Sequence, residues 1–193
     1  MKILITLALT ALALFAGCGQ QDVQAVREAA VAADGDQKLA DGAFRAELVF
    51  CRRVGAKTGK RLEVGDRFEA SDDERDRNIH AFVDLRGLPP GVHQIHVVWL
   101  KPGGEELFRK YAEVSVAPAD SARWRTQIVW KDGNNLRFAE PEEAVVGPAP
   151  DLTVSSRLNV APDRKREPGT YAVKIYWNRE LLLERPFDYV AAD

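Results

Sequence analysis

Three histidines, His80, His93 and His96, are the residues of this chain whose chemistry best suits binding of a transition metal ion. On a helix, the three-residue spacing of His93 and His96 would place both rings on one face. The surrounding residues instead alternate between apolar and polar, which predicts a strand whose successive side chains point to opposite faces. No local Asp, Glu or Cys completes a ligand spacing. We therefore predict no metal site and no cofactor, and we assign the histidines to the surface of a sheet.

Nucleophilic catalysis needs a Ser or Cys on a strained turn together with a base. The sequence contains no Gly-x-Ser-x-Gly motif and no Gly-rich phosphate loop. The acidic run at residues 72–76 has no Gly among its acids, unlike a calcium-binding loop, so we interpret it as a solvated turn. We assign no catalytic residue, although a triad assembled from distant strands would leave no short motif.

The composition is that of a globular protein with little net charge. Hydrophobic residues make up 46% of the 193 positions, and 27 Lys and Arg stand against 29 Asp and Glu, for a formal net charge of −2. A weakly acidic chain does not favour nucleic acid or an anionic lipid surface as a partner. No second long apolar run follows Phe15, so we expect no transmembrane segment beyond the N-terminus.

The N-terminus has the features of a secretion signal. A positive start, an uncharged apolar stretch over residues 3–15 and two small residues before Cys18 follow one another. Residues 14–18, Leu-Phe-Ala-Gly-Cys, resemble the lipobox of bacterial lipoproteins, with Phe at a position where that motif usually has Leu. The resemblance implies a signal peptide over residues 1–17, cleavage before Cys18, and attachment of acyl chains such as palmitate to that cysteine.

The same resemblance implies a location. In such lipoproteins of Gram-negative bacteria an Asp after the cysteine retains the protein in the inner membrane, whereas Gly19 follows here. It therefore implies a protein held at the outer membrane by its lipid and facing the periplasm. The alternative is an ordinary secretory signal that is cleaved near Ala16 or Gly17.

Cys51 is the second of the two cysteines, and it has no intramolecular disulfide partner if Cys18 carries lipid. Its neighbours Val49 and Phe50 are apolar. We therefore interpret Cys51 as a small apolar residue that fills space in the fold.

The chain after the signal divides into two parts. Residues 18–42 are rich in Ala, Gln and Asp and contain no aromatic residue, so they lack the apolar surface needed to order themselves and are predicted to form a tether. Residues 43–193 are predicted to form one domain.

From residue 43 onward, short alternating apolar runs are separated by Gly, Pro, Asn and Asp, which is typical of β-strands. We predict an all-β fold, an antiparallel two-sheet β-sandwich of about seven to nine strands. The connection Asn178-Arg179 predicts a terminal hairpin, since Asn tolerates the positive φ of tight turns. The predicted core-facing rows are Phe44, Ala46, Leu48 and Phe50; Ile79, Ala81, Val83 and Leu85; Ile95, Val97 and Trp99; Trp124, Thr126, Ile128 and Trp130; Tyr171, Val173, Ile175 and Trp177; and Leu181, Leu183 and Phe187.

Two segments resemble the Ig-like modules of bacterial surface proteins. Trp99 precedes a Pro-Gly-Gly turn at residues 102–104, and residues 168–177 read Pro-Gly-Thr-Tyr-Ala-Val-Lys-Ile-Tyr-Trp before a short turn and a final strand. The resemblance implies an Ig-like arrangement of the two sheets and implies no activity. A jelly roll or another two-sheet topology stays open.

A binding surface is the remaining candidate for function. Residues 131–151, which include Phe138, form a longer predicted loop than compact domains usually carry without a purpose. Arg123 and Arg125 share the outward row of the preceding strand, and Arg pairs well with carboxylates. We predict a non-catalytic binding or scaffolding module for a protein partner, with Arg123, Arg125 and Phe138 at its contact surface. The simpler interpretation is an edge loop that blocks aggregation between strands.

The second functional hypothesis is a carbohydrate-binding or hydrolytic β-sandwich at the cell envelope, in which Trp124, Trp130 and Tyr176 form a platform for sugar rings. Rings aligned on one exposed, concave sheet face would favour sugar binding. The same rings buried between two sheets would favour a protein partner.

We expect Cys18→Ser to release the protein from the membrane fraction into the soluble periplasmic fraction, because the variant lacks the thiol that receives the acyl chains. Cell fractionation followed by immunoblotting measures this, and Cys51→Ala is the matched control that keeps the lipobox. Membrane fractionation that is unchanged by Cys18→Ser would contradict acylation.

Overall fold

In a computed structural model of the chain, the described residues are 44–131 and 142–191. The predicted signal peptide, Cys18, the tether and Phe138 lie outside these ranges. None of the helical segments within the two ranges is long and apolar enough to cross a membrane.

Strands dominate both described ranges, which contain two single-turn 3-10 helices, Glu74–Asp76 and Pro162–Arg164, and no α-helix. The all-β prediction is confirmed. The strand count exceeds the predicted seven to nine, because three additional strands of three or four residues are too short to show an alternating pattern. The strands are β1 Arg45–Val54, β2 Arg61–Val64, β3 Arg67–Glu69, β4 Asn78–Arg86, β5 Gly91–Leu100, β6 Glu106–Pro118, β7 Trp124–Lys131, β8 Val145–Gly147, β9 Leu152–Asn159, β10 Gly169–Trp177 and β11 Glu180–Val190.

The strands form two sheets, one of four strands in the order β2-β1-β4-β9 and one of seven in the order β3-β11-β10-β5-β6-β7-β8. One of the two sheets curls into a half-barrel. Pairing is antiparallel throughout both sheets except between β3 and β11, which run parallel with Arg67 opposite Asp188. The prediction of purely antiparallel sheets is therefore wrong at this edge. No hairpin turn joins β3 to β11, so nothing local forces them to run in opposite directions.

The two sheets enclose one apolar core. The predicted inner row of β4, from Ile79 to Leu85 in steps of two, is at most 1% exposed at every position. The predicted core-facing residues of β5 and β10 are also buried, since alternate strand residues point the same way. Trp124 and Trp130 lie on β7, next to the edge strand β8 of the larger sheet. Both are half-buried and pack against this core.

Leu181 is an exception to the predicted inner row of β11. A register shift between Ile175 and Tyr176 on β10 places Leu181 opposite Tyr176 and Leu183 opposite Ile175. Tyr176 belongs to the outer row of β10, so Leu181 turns outward and is 51% exposed. A bulge inserts one extra residue into a strand, so the residues beyond it point to the opposite face. The apolar pattern of a single strand does not reveal where such a bulge occurs.

The predicted terminal hairpin is present, and its turn has the required backbone. Asn178 and Arg179 have φ values of 50° and 75°. The start of β10 also packs closely against the turn after β5. A Cβ added to Gly169 would lie only 2.8 Å from Cγ of Pro102, so the contact leaves no room for a side chain at this position. The two segments that carry the Ig-like resemblance therefore touch each other.

Trp99 lies at the centre of the contact between the sheets. Its side chain is 0% exposed, and its ring centroid lies 6.4 Å from that of Phe50 on the opposite sheet and 5.9 Å from that of Phe187. The indole Nε1 donates a buried hydrogen bond of 3.0 Å to Oγ of Ser156, which also belongs to the opposite sheet. One side chain thus provides apolar and polar contacts between the two layers.

We expect Trp99→Ala to lower the free energy of unfolding by about 3–5 kcal/mol, because it creates a cavity in the core and leaves the Ser156 hydroxyl without its donor. Urea denaturation of the purified protein followed by circular dichroism measures the change. Trp124→Ala, at a half-buried position on the rim of the core, is the control and should cost less. An unchanged midpoint for Trp99→Ala would contradict the central role of this ring.

Candidate functional site

Exposed apolar side chains in the described ranges are concentrated on edge strands. Strand β2 is an edge of the four-stranded sheet and β8 is an edge of the seven-stranded sheet. An edge strand presents unpaired backbone groups, and its exposed apolar side chains mark it as a place where another strand can be added. Four of the six large exposed apolar residues lie on these two strands; the six are Leu62, Val64, Val92, Val145, Val146 and Leu181.

The β8 edge includes part of the predicted partner surface. Arg125 on β7 lies opposite Val146 on β8 and is exposed, and no described carboxylate lies within ion-pair distance of it. Arg123 is also exposed, but its Nη2 lies 2.6 Å from Oδ2 of Asp120 in its own turn. Of the two arginines, Arg125 is therefore the one presented beside the exposed valines.

The predicted loop over residues 131–151 is wrong in one respect, because it contains β8. Glu142 fixes the segment that leads into this strand: its N–H donates to the Ile128 carbonyl at 3.1 Å, and its carbonyl accepts from Gln127 Nε2 at 3.1 Å. Its carboxylate accepts a 2.8 Å hydrogen bond from Nε1 of Trp130. These bonds hold the approach to β8 against β7.

The three aromatic side chains proposed as a sugar platform do not share one face. Trp124 and Trp130 lie on the inward side of β7 and pack against the core. Tyr176 lies on the outer row of β10, opposite His96 of β5, which in turn lies opposite Tyr111 of β6. This arrangement separates the proposed platform into two parts on opposite sides of the sheet.

His93 and His96 diverge, as predicted for strand residues. His93 pairs with Val114 in the inner row and stacks on Trp177 with ring centroids 4.9 Å apart. His96 is on the outer row, with its ring 4.5 Å from that of Tyr111. In residues 44–131 and 142–191 no group of three His, Cys, Asp or Glu side chains is arranged to hold a metal ion.

The electrostatic environment of His96 is unusual for an exposed sheet. Its Nδ1 lies 3.4 Å from Nη1 of Arg109, and its Nε2 is buried without a hydrogen-bond partner among the described residues. Burial and the nearby cations Arg109 and Arg179 hold the pKa of His96 below its ordinary value, and Glu106 offsets part of the effect.

The outer face of the smaller sheet carries a compact ion pair and a buried thiol. Nη1 and Nη2 of Arg61 each lie 2.6 Å from a carboxylate oxygen of Asp84, and Cζ of Arg61 lies 4.6 Å from the centroid of the Phe82 ring. The hydrogen bonds from Arg61 hold the pKa of Asp84 below its ordinary value. Cys51 is 0% exposed, and burial raises the pKa of its thiol, so its interpretation as an apolar filler is confirmed.

Arg52 is the residue with binding chemistry that the sequence interpretation missed. It follows Leu48 and Phe50 in steps of two, so it belongs to the inner row of β1, and it is 4% exposed. The alternation could have revealed it, because the same pattern that buries Phe50 must turn the next alternate residue inward. It lies next to a cleft between β2 and β3.

No protein-family model and no curated protein sequence matches the chain. Among solved structures, the chain is similar to the alkylpurine DNA glycosylase AlkC of Pseudomonas fluorescens bound to DNA containing an abasic site analog. The sequence identity is 14% and the TM-score is 0.33, and the match covers 76% of this chain and 31% of that one. A TM-score of 0.33 is too low to establish a common fold, and no function follows from it.

We expect His96 to titrate below its ordinary pKa of 6.5, and Arg109→Gln to raise that pKa, because the substitution removes a neighbouring positive charge. In the unmutated protein the pKa of His96 is lower in the folded state than in the unfolded state, so the unfolded chain binds the proton more strongly. The free energy of unfolding therefore falls as the pH decreases below about 6.5. NMR titration of the imidazole measures the pKa. A midpoint at or above the ordinary value, or no change in Arg109→Gln, would contradict this environment.

Proposed function

We propose that the chain is a lipid-anchored protein of the outer membrane that faces the periplasm and serves as a binding or scaffolding module for a protein partner. It performs no chemistry of its own. The observation that carries the proposal is the pair of exposed valines, Val145 and Val146, on the edge strand β8 beside the exposed Arg125. The anchor rests on the resemblance of residues 14–18 to a lipobox.

The proposed mode of binding is addition of a partner strand to β8. Val145 and Val146 are 51% and 44% exposed, which is unfavourable in water and becomes favourable when a partner covers them. The backbone groups on the free side of β8 supply hydrogen bonds to an extended segment. Arg125 offers a planar guanidinium to a carboxylate on that segment, and Arg123 flanks it in a pair with Asp120.

The Ig-like arrangement is part of the proposal. The neighbouring strands β11, β10 and β5 correspond to the G, F and C strands of an Ig domain, and β1, β4 and β9 correspond to A, B and E. Tyr171 near the start of β10 donates from its hydroxyl to the Glu167 carbonyl at 2.8 Å, which resembles the tyrosine corner of Ig domains. The short strands at the sheet edges depart from that pattern. Superposition of an experimental structure on Ig domains tests this assignment.

The arrangement of the aromatic side chains does not favour the sugar-binding alternative. Two of the three candidate rings, Trp124 and Trp130, pack on the inward side of the larger sheet, and Trp130 is engaged by Glu142 and by the Lys110 ammonium 5.3 Å from its ring centroid. A ring that already stacks a cation and donates its N–H offers little to a sugar.

We expect a photoreactive residue at position 145 to crosslink to a discrete partner in intact cells, and the same residue at position 181 to give no such product. Leu181 is a matched control, because it is also 51% exposed but lies on β11, away from the β8 edge. Adding Val146→Lys should reduce the crosslink about tenfold, as for loss of an apolar contact at the centre of an interface.

The outcome that contradicts the proposal is a crosslink of equal intensity from position 181, or none from position 145 in cells that contain the membrane-bound protein. Repeating the experiment in Cys18→Ser separates binding from anchoring. A crosslink that survives in the soluble variant supports a partner strand in the periplasm.

A further inference from the structure

A cleft opens on the side of the domain where the edges β2 and β3 face each other. Its volume is about 510 Å³, and its walls come from both sheets. Val64 of β2 lies on one wall, Phe68 and Glu69 of β3 lie on the other, and Arg52 of β1 also lines it. The cleft is thus lined mostly by the continuous segment from Glu63 to Ser71, which runs from an edge of one sheet to an edge of the other.

Arg52 is a buried cation with an incomplete set of hydrogen bonds. It is 4% exposed, and its Nη2 donates to the Glu69 carbonyl at 2.6 Å. Its Nη1 is buried and has no hydrogen-bond partner among the described residues, and none of the described carboxylates lies within ion-pair distance of it. Burying a guanidinium without a direct counter-ion is costly, so an anion that reaches Nη1 gains a charge-assisted hydrogen bond.

Three carboxylates line the cleft, those of Glu63, Glu69 and Asp76, and Arg53 pairs with two of them. Arg53 Nε lies 2.5 Å from Oδ1 of Asp76, and Arg53 Nη1 lies 3.0 Å from Oε1 of Glu63. Asp76 also accepts a hydrogen bond from the Ser71 hydroxyl at 3.0 Å. Because the carboxylates of Asp76 and Glu63 are already paired in this way, neither of them accepts a hydrogen bond from Nη1 of Arg52.

A second guanidinium stands at the rim. Arg67 of β3 lines the cleft and is exposed, and no described carboxylate lies within ion-pair distance of it. Because Nη1 of Arg52 has almost no exposure, a ligand reaches it through a movement of side chains at this rim. The exposed, unpaired Arg67 is suited to meet an anion first.

The backbone of β3 indicates that the ligand is an extended peptide. The Asp188 N–H donates to the Asp66 carbonyl at 2.7 Å, and the Ala70 N–H donates to the Val190 carbonyl at 2.9 Å. Alternate residues of a parallel strand bond to one neighbour, so Arg67 and Glu69 direct their backbone groups away from β11. The Glu69 carbonyl accepts from Arg52, and the other outward groups suit pairing with an added strand.

We propose that this cleft binds an extended acidic peptide whose carboxylate is held by Arg52 and Arg67 while its backbone pairs with β3. A carboxylate matches the planar fork of a guanidinium and is smaller than a phosphate, which suits a donor as enclosed as Nη1 of Arg52. The site lies on a different sheet edge from β8 and does not depend on the partner proposed there.

The test measures binding of a fluorescein-labelled peptide of alternating Glu and Val to the purified full chain by fluorescence anisotropy. The same peptide with Gln in place of Glu should bind at least about tenfold more weakly, because charge-assisted hydrogen bonds are lost. Arg67→Gln should weaken binding of the Glu peptide by about the same factor. Arg164→Gln, at an exposed arginine in the 3-10 helix Pro162–Arg164 outside both proposed sites, is the matched control and should leave the affinity unchanged. Arg125→Gln tests whether the peptide binds at the β8 edge instead.

Arg52 is examined without mutation, because its replacement could unfold the domain. NMR signals of the Arg52 guanidinium should shift when the Glu peptide is added and should remain in place with the Gln peptide. Equal binding of the two peptides, or an unmoved Arg52 signal at saturation, would overturn the proposal. Loss of binding in Arg125→Gln instead of Arg67→Gln would place the peptide on β8 and also overturn it. Competition by inorganic phosphate at lower concentration than by acetate would overturn the carboxylate assignment.

Discussion

The contact of Trp99 with the opposite sheet is the interaction on which the rest of the structure depends. Cys51 is a free, buried thiol, so no disulfide among the described residues joins the two layers. The layers are held by apolar burial centred on the rings of Trp99, Phe50 and Phe187, and by the bond from Trp99 to Ser156. Burial of aromatic rings supplies much of the free energy of such a core, and the buried hydrogen bond adds a directional constraint on how the sheets are aligned.

The long strands could be predicted from the sequence, and the short edges could not. Strands of eight or more residues, such as β4 and β10, repeat their alternation several times, so their inner rows are evident. Strands β2, β3 and β8 have at most four residues and owe their form to pairing with a neighbour. The outward turn of Leu181 and the parallel direction of β3 also depend on partners far away in the sequence.

The candidate sites follow the same division. The outward position of Arg125 could be predicted because β7 alternates regularly, whereas the exposed valines beside it lie in a stretch interpreted as a loop. Arg52 was accessible to the same reasoning, but an arginine in an apolar row suggests a strand end rather than a buried cation. The position of β3 could not be predicted from the sequence. The Glu69 carbonyl of this strand accepts a hydrogen bond from Arg52, and its edge forms one wall of the cleft. The β3 edge therefore depends on a contact between the two sheets.

The parallel pair of β3 and β11 has a consequence for the order in which the domain assembles. Arg67 lies opposite Asp188, so β3 waits for β11 before this edge can close. Pairing between segments so distant in sequence carries a large loop-closure entropy, and it forms late in folding. During synthesis β3 stays unpaired until β11 has emerged, which makes β11 the last strand needed to complete this edge.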